Sequence, residues 1–211
     1  KYLSSFSKKI LLAKKITKNF PEKYKSKTYE VGAVLSKNVI NYSPFNENND
    51  KRKFSILVLG GSQGAEIFGK VIPAVVKMIK DAGYEIEINQ QCSIGQKNSL
   101  IDFYKKNNIK NYVFEFDKNI LKLFLSSNIA ITRCGASTTA ELVHTFTPFI
   151  AVPLSDSIDN HQYLNAKYYE NKGCCWLLEQ SNFNTENLFN LIMDTIKNKN
   201  KLENIRENMK K

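Results

Sequence analysis

Three short stretches of this chain gather small and hydrogen-bonding residues in the pattern that holds a phosphate-bearing ligand. The first is Gly60-Gly61-Ser62-Gln63-Gly64-Ala65, which follows the apolar run FSILVL at 54–59. Its glycines permit positive φ angles and let the backbone approach a ligand closely. The helix expected after it would turn free N–H groups and a positive dipole end toward an anion. Ser62 and Gln63 add side-chain donors. The second stretch, Thr132-Arg133-Cys134-Gly135-Ala136-Ser137-Thr138-Thr139-Ala140-Glu141, repeats the scheme. Gly135 and Ala136 allow close approach, and Ser137, Thr138 and Thr139 crowd hydroxyls and amides at a helix start, as a diphosphate requires. Glu141, one turn further in, can accept two hydrogen bonds from the vicinal hydroxyls of a ribose. The third stretch spans 152–166, with His161, Gln162 and Asn165 at another helix start. Gln162 and Asn165 are three apart and share a face. Amides both donate and accept, which suits neutral sugar hydroxyls.

Each stretch also has a plainer reading. The first could be a tight strand-to-helix turn with no ligand. It could also serve a dinucleotide, since Glu85 or Glu87 falls where a ribose-binding acid is expected. Its spacing is nevertheless not G-x-G-x-x-G, and no Gly-Lys followed by Ser or Thr makes it a nucleotide-triphosphate loop. In the second, Ser137 or Thr138 with Glu141 reads equally as a capping box. The third could be no more than a polar helix start. A shared ligand becomes the stronger reading if all three loops leave strands at one sheet edge.

The elements needed to put them there are legible. After 54–59 come a helix at 65–82, a strand at 84–89, a helix near 97–107 and a strand at 112–116. A helix near 119–126, strand 128–132, helix 138–146, strand 148–153, helix 160–171, strand 174–178 and two further helices complete the order. In helix 65–82, Ile67, Val71, Ala74, Val75, Met78 and Ile79 are taken as one apolar side. Strands alternating with helices of this length predict an α/β fold, a Rossmann-like parallel sheet with helices on both faces. Ligands of such sheets sit beyond the carboxyl ends of the strands. Ahead of this unit, apolar residues at three- and four-residue steps predict an amphipathic helix over 1–20 and a short strand around 29–35. Residues 37–53 read as a polar, Asn-rich linker.

The net charge of +11 rests on 31 Lys and Arg, of which only Arg52, Arg133 and Arg206 are arginine. A lysine-coated surface accounts for it, and a face docking on anionic lipid headgroups is a further use. The basic residues are dispersed without aromatic interleaving, so no nucleic-acid partner is expected. Cys92, Cys134, Cys174 and Cys175 form no C-x-x-C pair, and the two histidines are not spaced to complete a zinc site. A reducing cytoplasm, no metal and no cofactor are the expectations. No apolar run approaches the roughly 20 residues of a membrane-spanning helix.

Taken together, GGSQGA, TRCGASTTAEL, VPLSDSIDNHQYLNA and ENKGCCWLLEQ resemble the carboxyl-terminal half of the MurG family of bacterial N-acetylglucosaminyltransferases. The resemblance runs from about Phe54 to the end. It implies one complete half of a GT-B fold, in which two Rossmann-like domains face each other across a cleft. It further implies metal-independent, inverting transfer of N-acetylglucosamine from UDP-GlcNAc to a lipid-linked muramyl-peptide acceptor, converting lipid I to lipid II in peptidoglycan synthesis. The expected place of work is the cytoplasmic face of the bacterial inner membrane, held peripherally at an anionic surface. Carried residue by residue, the resemblance puts Ser62, Gln63 and Gly64 at the sugar and diphosphate. Gly135, Ala136, Ser137, Thr138 and Thr139 fall around the diphosphate and uracil edge, with Glu141 on the ribose. Gln162 and Asn165 fall at the N-acetylglucosamine hydroxyls with His161 adjacent, and the uracil at 116–120, where Asp117 replaces the family's apolar contact.

Two departures follow from the same comparison. Gly32-Ala33-Val34-Leu35-Ser36 stands where the family carries a G-N-P-V-R-like strand, so the Asn and Arg are replaced by Ala33 and Ser36. A serine cannot supply the bidentate charge of a guanidinium. The family's amino-terminal glycine loop and histidine base have no counterpart here, and His144 and His161 do not match them, so no catalytic residue is identified. The division implied is a remnant of the acceptor domain at 1–36, a linker at 37–53 and a UDP-sugar-binding domain at 54–211. The alternative is a non-catalytic or split-subunit UDP-sugar-binding module that needs a separate amino-terminal domain chain.

Overall fold

The computed structural model describes residues 3–13, 20–35, 37–41, 53–61, 66–155, 157 and 160–211. Its amino-terminal part contains α1 (Leu3–Phe6), β1 (Ile10–Leu12), β2 (Thr28–Glu30) and α2 (Lys37–Ile40). From there on, strands and helices alternate. They are β3 (Phe54–Leu59), α3 (Glu66–Asp81), β4 (Ile86–Gln91), α4 (Ile94–Lys106), β5 (Lys110–Phe114), α5 (Ile120–Ser126) and β6 (Ile129–Thr132). They continue with α6 (Ala136–His144), β7 (Phe149–Ala151), α7 (His161–Asn171), β8 (Cys175–Leu177), α8 (Thr185–Lys197) and α9 (Lys199–Met209).

Six strands form a sheet in the order β5-β4-β3-β6-β7-β8, and every pairing within it is parallel. Alternation along β3 shows why it lies at the centre. Ile56 and Val58 point into one apolar layer, roofed by Phe68 and Ile72 of α3, Leu100 of α4 and Leu188 of α8. Leu57 and Leu59 point the other way, onto Phe124 of α5, Leu142 of α6, Ala166 of α7 and Ile205 of α9. Both faces are therefore covered, as a strand apolar on both sides demands. The chain runs outward from β3 through β4 to β5, then returns to the other side of β3 and runs outward through β6, β7 and β8. That reversal opens a crevice between the carboxyl ends of β3 and β6.

The α/β expectation and the element order hold, and several finer expectations do not. Residues 1–20 do not form one amphipathic helix: Ile10–Leu12 is instead a strand paired in parallel with Thr28–Glu30. The helical spacing of the apolar residues loses there to cross-strand pairing, and Phe6 and Leu11 remain 89% and 64% exposed. The strand expected at 29–35 narrows to Thr28–Glu30, because the φ of +75° at Gly32 ends it. In α3 the buried side is Phe68, Ile72, Val75, Val76 and Ile79, while Ala74 and Met78 face outward. The apolar stripe is thus rotated by about one residue from the one read in the sequence. Within the expected linker, Lys37–Ile40 is helical and Val39 is buried.

Candidate functional site

The carboxyl ends of all six strands open into one cavity of about 990 Å³. Gly60 and Gly61 leave β3 on its wall, and Gly61 adopts φ +79°, which a side chain would strain. Ser62, Gln63 and Gly64 lie outside the described residues, but Glu66, Ile67 and Lys70 of α3 line the same wall. Gly135 caps the start of α6, so Ala136, Ser137 and Thr138 form its first turn, two residues earlier than the sequence pattern suggested. Besides Gly60 and Gly61, the cavity brings together Asp117, Gly135, Thr138, Glu141 and Gln162 of the residues that the family resemblance assigned to the ligand.

Others stand apart from its wall. Ala136, Ser137 and His161 are exposed at helix starts. Thr139 is fully buried, and its hydroxyl donates to the carbonyls of Gly135 and Ala136 at 3.0 and 3.2 Å. Asn165 sits beneath the second loop, where its Nδ2 donates to the Cys134 carbonyl at 3.2 Å. Gln162 completes the grip: its Oε1 accepts from the amides of Cys134 and Leu154, both at 3.1 Å. The first turn and a half of α7 therefore holds Cys134 by both its backbone N–H and its carbonyl, and ties the loops after β6 and β7 together. Among the described residues Gln162 Nε2 meets no acceptor, which leaves it to donate into the cavity that Gln162 lines.

Asp117 closes the loop after β5. Its carboxylate accepts from the Asn119 amide at 2.6 Å and from the Tyr112 hydroxyl at 3.1 Å. Beside it Phe116 presents a 75% exposed ring at the cavity rim, a flat apolar surface of the kind a nucleobase stacks on. Glu141 is half-buried, and loss of solvation alone raises its carboxyl above the ordinary range. Burial also pushes the Cys134 thiol up to about 12, so this cysteine is an apolar packing element of the loop.

Arg133, to which the sequence pattern gives no role, also stands on the wall. Its guanidinium lies 5.1 Å from the centre of the Phe68 ring and donates through one terminal nitrogen to the carbonyls of Val152 and Pro153, each at 3.2 Å. Burial disfavours its charge, and no carboxylate pairs with it among the described residues. The other three of its five N–H donors make no bond among the described residues, and Arg133 lines the same cavity as Gly60 and Gly61. One of three arginines in a chain of lysines, placed at a strand end, was the available signal. Among the described residues no group of three or more His, Cys, Asp or Glu is placed to hold a metal ion, and no helix is long and apolar enough to cross a membrane.

Residues 55–211 match the model of the glycosyltransferase family 28 C-terminal domain. Two curated relatives share the name UDP-N-acetylglucosamine--N-acetylmuramyl-(pentapeptide) pyrophosphoryl-undecaprenol N-acetylglucosamine transferase. That of Rickettsia canadensis (strain McKiel) is 36% identical over 213 residues, covering 100% of this chain and 60% of the relative. That of Pelagibacter ubique (strain HTCC1062) is 35% identical over 211 residues, covering 100% of this chain and 58% of the relative. The chain thus spans about 60% of the length of the curated relatives it matches. Among solved structures, MurG of Acinetobacter baumannii superposes with a TM-score of 0.74 at 24% identity, covering 99% of this chain and 57% of that one. Os79 from O. sativa in complex with UDP superposes with a TM-score of 0.62 at 16% identity, covering 87% of this chain and 43% of that one. At these identities the superpositions establish the fold, a Rossmann-like half of the GT-B architecture, while the family follows from the sequence match. The chain belongs to glycosyltransferase family 28, whose C-terminal domain it carries at residues 55–211.

Proposed function

We propose that this chain is the donor-binding half of an N-acetylglucosaminyltransferase that takes UDP-GlcNAc as donor and a lipid-linked muramyl peptide as acceptor. One observation carries the reading: a single cavity at the crevice between β3 and β6 collects both glycine turns, Glu141 and Gln162. The names of the curated relatives support the choice of donor and acceptor, and Os79 carries UDP on the same fold. In this assignment the diphosphate lies between the starts of α3 and α6, where free amides and the helix dipoles meet it. Ser62, Gln63 and Gly64 complete the cradle on the β3 side. Gly135, Ala136, Ser137, Thr138 and Thr139 shape it on the β6 side, Thr139 by fixing the first turn of α6 from within. Arg133 adds the positive charge that Ser36 cannot. Glu141 accepts from the ribose hydroxyls, the uracil packs at Phe116 and Asp117, and the hexose extends toward Gln162. His161 and Asn165 support that end of the site.

The reaction is an inverting displacement at the anomeric carbon. The acceptor hydroxyl forms the new C–O bond as the bond to the UDP oxygen breaks, and loop amides and Arg133 take up the charge that develops on UDP. The acceptor hydroxyl must give up its proton, and among the described residues no histidine lines the cavity. We assign that base to a further domain, of which residues 1–36 are the tail end and 37–53 the linker. Such a domain, in the same or a separate chain, also carries the acceptor. A net charge of +11 favours peripheral work at the anionic inner face of the cell membrane. A second reading, a non-catalytic or split-subunit UDP-sugar-binding module, keeps the site and drops the chemistry.

Calorimetry with UDP, UDP-GlcNAc and NAD tests the donor assignment. Binding of UDP and UDP-GlcNAc without NAD is expected, and binding of NAD alone, or of none of the three, would overturn it. Transfer to a lipid-linked muramyl acceptor, measured with and without an added amino-terminal domain, separates catalyst from binding module.

A further inference from the structure

The cavity extends to the sixth strand, where nothing in the sequence marked a ligand contact. Gln180 follows β8 and lines the wall on the same side as Leu154 and Gln162, at the end opposite Phe116. Its amide is poorly held. Among the described residues Nε2 donates only to the Ser155 hydroxyl, at a long 3.4 Å, and Oε1 is shut away from solvent and meets no donor. A buried amide oxygen left without a donor is costly, and native folds supply one when they can. The terminal amide torsion of glutamine is broad and soft, so turning the group toward the cavity breaks only the long contact to Ser155. What it then needs is a hydrogen-bond donor on the ligand.

We infer that Gln180 is a donor-sugar specificity residue, its Oε1 accepting from a hydroxyl or acetamido N–H at the hexose end of a nucleoside diphosphate sugar. The inference rests on the UDP-sugar reading and adds to it a contact from β8. The ligand must be long enough to reach from the Phe116 rim to β8. A nucleotide held between the two glycine turns reaches β8 only through the group attached to its distal phosphate. Gln180 therefore senses the sugar and not the nucleotide. Gln162, whose Oε1 is committed to the Cys134 and Leu154 amides, offers the sugar a donor there. Gln180 offers the acceptor, and together they present both halves of a hydrogen-bonding surface to a hydroxylated ring.

The test compares UDP with UDP-GlcNAc and UDP-glucose on the full chain, by calorimetry, for wild type, Gln180→Ala and Gln180→Met. Methionine keeps the length and removes the acceptor, and thermal melts establish that each variant is folded. The expected result is a loss of about three- to tenfold in UDP-GlcNAc affinity for both variants, the worth of one neutral hydrogen bond, with UDP affinity held within about twofold. An equal loss on UDP and UDP-GlcNAc, or no loss on either, would overturn the assignment. So would a wild type that binds UDP and UDP-GlcNAc alike. A wild type that binds no uridine nucleotide at all sinks the UDP-sugar reading itself, a distinct result. Loss on UDP-GlcNAc but not on UDP-glucose assigns the contact to the acetamido group, and equal loss on both assigns it to a ring hydroxyl.

Discussion

Loss of solvation at Glu141 holds its carboxyl above the ordinary value of 4.5, and desolvation is the only cause. An acid raised in the fold binds its proton more tightly folded than unfolded, so the fold loses stability as pH rises through that range. Glu141→Gln is therefore expected to melt at a higher temperature than the wild type at neutral pH, with the difference closing as pH falls toward 4.5. The same residue is the ribose acceptor in the proposed site. Glu141→Ala is expected to weaken UDP by about 1–3 kcal/mol, the loss for hydrogen bonds to a charged group. Stability and binding thus move in opposite directions at one position, as functional sites often require. Calorimetry beside thermal melts checks both signs, and an unchanged UDP affinity in a folded variant would remove the ribose role. Because the ionised carboxylate is the acceptor, UDP affinity is also expected to fall on acidification, starting above the pH of an ordinary glutamate.

At the scale of elements, α7 grips two loops through Gln162. Gln162→Ala leaves the amides of Cys134 and Leu154 without their acceptor, and is expected to cost about 1–3 kcal/mol of stability. Gln162→Glu keeps an acceptor oxygen and is expected to recover most of that loss in urea unfolding, while the sugar contact of Nε2 stays lost. Phe68→Ala is expected to cost about 3–5 kcal/mol, since the ring is fully buried in α3 and packs beneath Arg133. These elements were differently legible in the sequence. The apolar run of β3 and the glycines after it announced strand, turn and crevice, because a strand buried on both faces has no other composition. Arg133 and Gln180 have no marked place in the sequence because their significance lies in which loops fold beside them, and spacing along one chain does not carry that. The grip of Gln162 was read as a sugar contact alone, since a side-chain amide is equally suited to a hydroxyl and to a backbone N–H. Residues 1–20 misled for a different reason: helical periodicity was present, but the partner strand 28–30 decided the outcome.

For the molecule as a whole, charge and topology set behaviour that no single residue does. A net +11 attracts a diphosphate over distances that salt shortens from about 30 Å at 0.01 M to about 8 Å at 0.15 M. The association rate for UDP-GlcNAc is expected to fall across that range, read by stopped flow. An insensitive rate would show that the lysine coat plays no part in capture. The sheet has a consequence of its own. Since every neighbouring pair of strands runs the same way, no strand of it can zip to the next through a hairpin. Each must wait until an intervening helix has returned the chain, and meanwhile stretches such as ILVL stand bare and sticky in water. Assembly of this kind is slow, so a newly synthesised chain is most exposed to clumping with its neighbours before β6 closes against β3, and slower synthesis in the cold should raise the yield of soluble protein.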